Sequence, residues 1–305
     1  MHIRLFALMG LLSFLFGCDK KGDYHRKGGD WYYKDHKLTM ESSAGFTPLN
    51  ATFARASDHG YYRDQRITQS DGATFEALSE HYARDRARVF YGDTYRKVEE
   101  YWAVRYNRVV AIDGADPSTF QYLGSDHGKD ARHVYLAGRP VPVRDVGSFV
   151  LLDHGFSRDT LTGYYHLHVV PGSDGATFVG LANHYARDGK SVFHAALVYR
   201  ANSTPERLRS VRIDGADIAT FTALDDGYAK DSRRIYFEGR NIAPASATFE
   251  VLRHGYAKSE SQVFHKGGAI AGADVATFEV PDIPDVNVDA RDRAATYYDG
   301  KRSGS

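Results

Sequence analysis

Hydrophobic and polar positions recur along this chain in a fixed register. A phenylalanine is followed by a leucine three residues later, by an aspartate ten residues later and by an aromatic residue five further on. The phenylalanines are Phe75, Phe120, Phe149, Phe178, Phe221 and Phe249. The aspartates are Asp85, Asp130, Asp159, Asp188 and Asp231, with Ser259 in the sixth repeat. Four positions that keep step six times indicate an internal repeat.

The distances between successive repeats predict a duplication within the array. From Phe75 to Phe278 the spacings are 45, 29, 29, 43, 28 and 29 residues, so a long–short–short pattern occurs twice. We therefore expect repeats of about 28–45 residues across residues 31–301, duplicated at about 72–171 and 175–278, with a tail at 302–305. No Pro/Ser-rich linker separates the two halves, which predicts one continuous stack and not two independent globules.

The sequence pattern of each repeat predicts two or three very short strands. Segments such as Tyr228–Asp231 and Ile235–Phe237 are aromatic or β-branched, and Glu238-Gly239 supplies a tight turn. Asp116-Pro117 fits the start of a single helical turn before the phenylalanine. No repeat could bury an apolar face alone, so neighbours must stack, with the recurring phenylalanines and leucines as their core. The predicted fold class is all-β, an array of short β-hairpin repeats with single helical turns, solenoid- or propeller-like.

The N-terminus has a different pattern, an apolar run that extends from Leu5 to Phe16. A run of this length is too short to span a bilayer and predicts an export signal at residues 1–17. The sequence Leu15-Phe16-Gly17-Cys18 resembles the lipobox of bacterial lipoproteins. That resemblance implies cleavage before Cys18 and acylation of its thiol, followed by a lipid-anchored tether at residues 18–30.

Two further resemblances concern the class and the location of the protein. An aspartate after the lipidated cysteine, here Asp19, resembles the signal that retains lipoproteins in the inner membrane, facing the periplasm. The repeat elements YARD, YAKD, VFY, IYFEG, GAD and ATF resemble the DKNYY repeat family of bacterial surface and lipoprotein-like proteins. The family implies an exported all-β repeat protein and implies no activity or catalytic residues.

Composition and charge exclude several functions. Lys+Arg and Asp+Glu both number 39, so no basic surface for nucleic acid is expected. The single cysteine excludes an internal disulfide and a multi-cysteine metal site. The sequence also lacks the serine-hydrolase elbow, the phosphate-binding loop and the zinc-protease helix motif. We expect no catalytic residues, no metal site and no cofactor.

Histidines and aspartates remain the candidates for chemistry. Six of the fourteen histidines occupy one repeat position, which repeat geometry explains better than an active site. They are His59, His81, His127, His154, His184 and His254. His166 and His168 would share one face of a strand, as a solvated face or two ligands of Zn²⁺ or Cu²⁺. Asp113 with Asp116, and Asp214 with Asp217, predict Asx turns or N-caps in preference to calcium ligands. The recurring aspartates, each preceded by Arg or Lys, predict hairpin-turn carboxylates that pair with these basic neighbours, in preference to catalytic groups.

The two long repeats contain insertions, at Thr94–Val110 and Ala195–Val211. Insertions in repeat proteins tend to lie on one face and often bind a partner. We therefore predict a non-enzymatic, membrane-anchored envelope lipoprotein whose repeat surface binds an envelope protein or a glycan. The alternative is a periplasmic or surface glycan-binding protein or hydrolase with a groove between repeats.

Overall fold

Short β-strands separated by tight turns make up the whole described chain. The computed structural model describes residues 23–40, 43, 45–96, 105–200, 203–282 and 285–304. These residues form nine antiparallel sheets of three or four strands and no helix, which confirms the all-β class. No helix of the described part is therefore long and apolar enough to cross a membrane. The predicted signal at 1–17, Cys18 and Asp19 lie outside the described residues.

Successive strands along the chain pair with one another, so each sheet is a meander. Sheets 1 to 3 contain β1 Tyr24–Lys27, β2 Asp30–Tyr33, β3 His36–Lys37; β4 Thr47–Pro48, β5 Phe53–Arg55, β6 Gly60–Tyr62, β7 Gln65–Ile67; and β8 Glu76–Ala77, β9 Tyr82–Arg84, β10 Val89–Tyr95, β11 Tyr106–Ala111. Sheets 4 to 6 contain β12 Gln121–Gly124, β13 His127–Lys129, β14 Val134–Leu136, β15 Arg139–Val141; β16 Val150–Leu151, β17 Phe156–Arg158, β18 Gly163–Tyr165, β19 His168–Val169; and β20 Val179–Gly180, β21 Tyr185–Arg187, β22 Val192–Arg200, β23 Ser203–Arg212. Sheets 7 to 9 contain β24 Thr222–Ala223, β25 Tyr228–Lys230, β26 Arg234–Phe237, β27 Arg240–Pro244; β28 Glu250–Val251, β29 Tyr256–Lys258, β30 Val263–His265, β31 Gly268–Ala269; and β32 Ala290–Arg291, β33 Thr296–Tyr298, β34 Lys301–Gly304.

The chain divides into two compact units, and the division does not follow the duplication seen in the sequence. One unit is Met1–Asp130 with Tyr135–Arg139, and the other is Ala131–Val134 with Pro140–Ser305. The division falls in sheet 4. The duplicated segments at 72–171 and 175–278 are therefore a feature of the sequence register, and the single continuous stack stays a prediction.

Both ends of the repeat region differ from the sequence prediction. Strand β1 begins at Tyr24, inside the segment that we expected to be a tether, because the Tyr24 ring is fully buried. Its hydroxyl donates to the carbonyl oxygen of Thr52 at 2.8 Å. At the other end, the residues expected as a tail belong to β34, Lys301–Gly304, which pairs with β33.

A buried aspartate holds the hairpin of each repeat together. In Asp231, Oδ1 accepts hydrogen bonds from the backbone N–H groups of Arg233 and Arg234, at 2.7 and 2.8 Å. Its Oδ2 accepts from the N–H of Asp217 at 2.8 Å and from the Tyr236 hydroxyl at 2.7 Å. One carboxylate thus joins the turn that opens the repeat to the hairpin turn fourteen residues later.

The same arrangement recurs along the chain. Backbone N–H groups two and three residues ahead donate to Oδ1, and one from the opening turn donates to Oδ2, at Asp85, Asp159, Asp188 and Asp292. The predicted hairpin-turn role of the recurring aspartates is confirmed, although their donors are backbone groups and not the preceding Arg or Lys. In the sixth repeat the shorter Ser259 side chain accepts from the N–H of Gln262 at 3.2 Å.

The turn before each phenylalanine is a single hydrogen-bonded turn and not a helix. The side chain of Asp116 accepts from the N–H of Ser118 at 2.9 Å, and Asp217 accepts from the N–H of Ala219 at 3.2 Å. These contacts confirm the Asx-turn prediction for both aspartates. Phe75 follows the same kind of turn, and its N–H donates to the Gly72 carbonyl at 3.4 Å.

The hydrophobic core lies between consecutive sheets of a unit. Seven apolar clusters occur in the described residues, three in the first unit and four in the second, and each combines residues of two successive sheets. In one of them, Phe156 and Tyr165 of sheet 5 pack with Phe178 and with Phe193 of sheet 6. The recurring phenylalanines are buried as predicted. The recurring leucines are only half-buried and pack around the clusters.

Tyrosine hydroxyls add polar links between successive repeats. The Tyr185 hydroxyl donates to the Gly227 carbonyl at 2.8 Å and accepts from the Gly239 N–H at 3.2 Å, so it joins both turns of the next repeat. Tyr82, Tyr228 and Tyr256 make the equivalent pairs of bonds. Because a buried hydroxyl needs a partner, these links fix the spacing of neighbouring turns.

We predict that Asp231→Ala destabilises the protein by about 2–3 kcal/mol, because four donors lose a buried acceptor. Burial opposes ionisation, but these four hydrogen bonds outweigh it and hold the pKa of Asp231 below its ordinary value. Urea denaturation at neutral pH measures the change. The exposed Asp225→Ala is the matched control and should change stability by less than about 0.5 kcal/mol. Equal effects of the two substitutions would contradict the structural role of Asp231.

Candidate binding surfaces

Three of the six recurring histidines occupy turns, whereas His127 begins strand β13. His154, His184 and His254 have φ values of 59°, 67° and 58°, in the left-handed region. The His127 side chain contacts its own loop, where its Nδ1 lies 2.7 Å from the Ser125 carbonyl oxygen. No group of three or more His, Cys, Asp or Glu in the described part is arranged to hold a metal ion.

His166 and His168 do not share one face of a strand, which corrects the sequence prediction. His166 and Leu167 have φ values of 44° and 66° and form the two-residue turn between β18 and β19. Both positive values are typical of a type I′ hairpin turn. Only His168 belongs to a strand, so the two imidazoles do not form the predicted pair of metal ligands on one strand face.

One histidine is buried. The His194 side chain, which follows Phe193, is 5% exposed, and its ring centroid lies 4.9 Å from that of the Tyr185 ring. Its Nε2 has no hydrogen-bond partner within the described residues. Burial, His184 and Arg209 together lower the pKa of His194 to about 4. This imidazole is therefore neutral at physiological pH and serves as an aromatic packing residue, a role that its sequence position did not reveal.

Both predicted insertions form long β-hairpins. The first pairs β10 with β11, and on its exposed side the rings of Tyr95 and Tyr106 stack at 5.5 Å. Arg108 makes an ion pair with Asp93 beside them, with N and O atoms 2.5 Å apart. The second pairs β22 with β23 and ends its sheet. Residues 97–104 and 201–202, which include the centre of the first insertion, lie outside the described residues.

An open groove of about 1160 Å³ lies in the second unit. Its walls come from sheets 7, 8 and 9, and each sheet contributes equivalent turns. We call it the turn groove. Its carboxylates are Asp226, Glu238, Asp285, Asp289 and Asp299. Its basic and imidazole side chains are Arg240, Lys266, His254 and His265. Its apolar and aromatic side chains include Phe237, Val286 and Tyr298.

Hydrogen bonds and an ion pair hold the turns that line the turn groove. The Gly255 N–H donates to Asp226 Oδ2 at 2.8 Å, which joins two neighbouring repeats. The Tyr256 hydroxyl donates to Asp289 Oδ1 at 2.6 Å and accepts from the Gly300 N–H at 2.9 Å. Lys266 lies 2.6 Å from Asp299, and this ion pair holds the pKa of Asp299 below its ordinary value. These groups are committed to the structure.

Other side chains of the turn groove are free to meet a ligand. Glu238, Asp285 and Arg240 have no hydrogen bond or ion pair from their side chains within the described residues. Val286 is 90% exposed and Tyr298 is 50% exposed. The groove therefore presents an open, mostly acidic surface with one free guanidinium group and two solvent-facing apolar side chains.

The turns that line the groove recur in other repeats with the same backbone conformation and with different side chains. The first residue of the second turn has a φ between 44° and 54° in six repeats: Arg63, Ala137, His166, Glu238, Lys266 and Asp299. In five of these the N–H bonds to a carbonyl of the preceding turn, at 2.6–2.9 Å. The turn keeps this backbone conformation with six different side chains, so the position can serve recognition.

We expect His194 to make stability depend on pH. Its folded pKa of about 4 lies below the ordinary 6.5, so the unfolded chain binds the proton more readily between those values. Stability should fall as pH drops from about 7 to 4, by on the order of 3 kcal/mol. Urea denaturation at several pH values should show a smaller fall for His194→Phe. The variant His127→Gln should behave as the wild type; an equally large fall in His194→Phe would refute the assignment.

No family model, no curated protein and no solved structure matches this chain. The arguments for its function therefore come from the repeat geometry, from the turn groove and long hairpins, and from the N-terminal motif.

Proposed function

We propose that this chain is an exported, lipid-anchored and non-enzymatic protein of the bacterial cell envelope that binds an extended polar ligand in the turn groove. The observation that carries the proposal is the groove itself, lined by the same turns of three successive repeats. A series of equivalent turns offers contacts at regular intervals, as an extended chain would require. A peptide or a glycan of the envelope has that form.

The charges of the groove favour a ligand with amino or hydroxyl groups. Within the described part of the chain, the Glu238 and Asp285 side chains are acceptors without a partner, and the Arg240 guanidinium group is a donor without one. The recurring buried aspartates take no part, since backbone N–H groups and tyrosine hydroxyls already occupy their oxygens. The carboxylate chemistry that the sequence repeats most often thus serves stability and leaves the variable turn residues for binding.

The proposed anchor would hold the start of β1 close to a membrane. Acylation of Cys18 would leave six residues up to Tyr24, the start of β1, and an extended segment of this length reaches about 20 Å. Asp19 favours the inner membrane and a periplasmic body. The resemblance to DKNYY repeat proteins agrees with export. Solenoid- or propeller-like stacking is part of the proposal, supported by clusters shared between consecutive sheets within each unit.

A glycan-binding protein or hydrolase is the second candidate, and Tyr298 is the observation that favours it. This half-exposed ring lies in the same groove as Asp285 and Asp289, and aromatic rings pack well against sugars. Hydrolysis would also need a carboxylic acid with a raised pKa. The pKa of Asp299 is lowered instead, so this carboxylate does not fit the role of the acid.

We predict that Cys18 is lipidated. Bacteria that express the chain and are grown with labelled palmitate should incorporate label into the wild type and none into Cys18→Ala. The same variant should leave the membrane fraction, because two acyl chains provide a stable anchor. Equal labelling of both proteins, or of neither, would show that Cys18 is not acylated.

We predict that a photo-crosslinking amino acid at Val286, in the turn groove, captures a discrete envelope component in intact cells. The same amino acid at Leu161, which is 57% exposed in the same unit and outside the groove, should not. Adding Glu238→Lys and Asp285→Lys should weaken capture about tenfold or more. Protease and glycosidase digestion of the adduct then distinguish peptide from glycan. Equal capture from both positions would remove the groove as the binding site.

A further inference from the structure

The longest strand in the second unit lies at the edge of its sheet. The order of sheet 6 is β20-β21-β22-β23, so β23, Ser203–Arg212, has a partner on one side only. No residue of Arg207–Arg212 makes a backbone hydrogen bond away from β22 within the described residues. An edge of this length can pair with another extended segment.

The register identifies the backbone groups that point outward. The Ile213 N–H donates to the Val192 carbonyl at 2.9 Å, so these two residues form a hydrogen-bonded pair. Such pairs alternate along an antiparallel ladder, which directs residues 207, 209 and 211 toward β22. The N–H and C=O groups of Leu208, Ser210 and Arg212 therefore point away from the sheet.

A cavity and two free cations accompany this edge. A cavity of about 540 Å³ is lined by Pro171, Val198 and residues 207–210. Because successive residues of a strand face opposite sides, their shared lining places the cavity along the strand's edge. Arg207 and Arg209 are exposed on one face, and neither has a hydrogen bond or ion pair within the described residues.

We propose that the outer edge of β23 binds an extended peptide segment with acidic side chains at alternate positions, by adding it to sheet 6 as a fifth strand. The segment's backbone would pair with Leu208, Ser210 and Arg212. Its side chains on the face of Arg207 and Arg209 would be carboxylates, two residues apart, since directly opposite positions on one face contact each other. This site is separate from the turn groove and does not depend on the function proposed there.

Charge complementarity decides the occupant. A second copy of β23 in this position would place arginine near arginine on the same face, which is unfavourable. Arg212 is engaged with Asp214, with Nε and Oδ1 2.9 Å apart, so the two free cations are the available partners. An acidic strand neutralises both guanidinium groups and fills the cavity, whereas a neutral strand leaves them without a partner.

The test uses the full chain and a fluorescent peptide with the sequence Thr-Glu-Val-Glu-Val-Glu-Thr. Fluorescence anisotropy should show saturable binding by the wild type. Ser210→Pro removes an outward N–H and leaves pairing with β22 intact, as proline allows at a sheet edge, so binding should fall about tenfold or more. Ser210→Thr is the matched control and should bind as the wild type does. Arg207→Ala with Arg209→Ala should weaken binding similarly.

Two further probes separate strand addition from attraction between charges. A peptide with the same sequence and N-methyl groups on alternate residues keeps its carboxylates but cannot pair, and it should not bind. A peptide with lysine in place of glutamate should not bind either. Circular dichroism and thermal melting confirm that each variant is folded. No binding by the wild type, or equal binding of the N-methylated peptide, would overturn the proposal and leave the arginines as protection of the edge against association.

Discussion

Burial of an ionised carboxylate is unfavourable unless hydrogen-bond donors satisfy its oxygens, and each repeat of this chain meets that need with backbone N–H groups. Asp159 shows the full set: Oδ1 accepts from Leu161 and Thr162, and Oδ2 accepts from Asp145 and from the Tyr164 hydroxyl. The donors come from two turns that are far apart in sequence. A single side chain thereby connects the two turns of a repeat whose strands are too short to be stable alone.

The small size of the sheets follows from this closure and sets where the core must be. Most strands have two to four residues and bury at most three of them, so a single sheet has no interior. Apolar rings of one sheet instead pack against the next, as Phe221 does between Tyr185 and Tyr236. Tyrosine hydroxyls then tie the turns of the following repeat to the core. Stability within a unit is thus shared between neighbours, as in repeat proteins generally.

The sequence predicted the all-β class, the repeat register, the buried phenylalanines and the turn aspartates, because each depends on local spacing. It did not predict the tyrosine links, since the partner of Tyr185 is a backbone carbonyl about forty residues away and carbonyls leave no trace in a sequence pattern. His166 and His168 were misplaced because a turn of two non-glycine residues resembles a strand in its composition. Tyr24 was assigned to a tether because its surroundings are polar and only its distant contacts bury it.

Recognition in such an array must come from positions that the fold leaves free. The repeated aspartates, phenylalanines and tyrosines are all engaged, and a change at any of them would affect stability before it affected binding. The second turn of each repeat differs, because its N–H is used while its side chain varies from Ala137 to Glu238 to Lys266. Three such turns side by side form the turn groove, and the long hairpin ending in β23 adds an unpaired edge. A repeat of fixed backbone can thus acquire different ligands by changing surface side chains alone, without loss of the contacts that hold each sheet to the next.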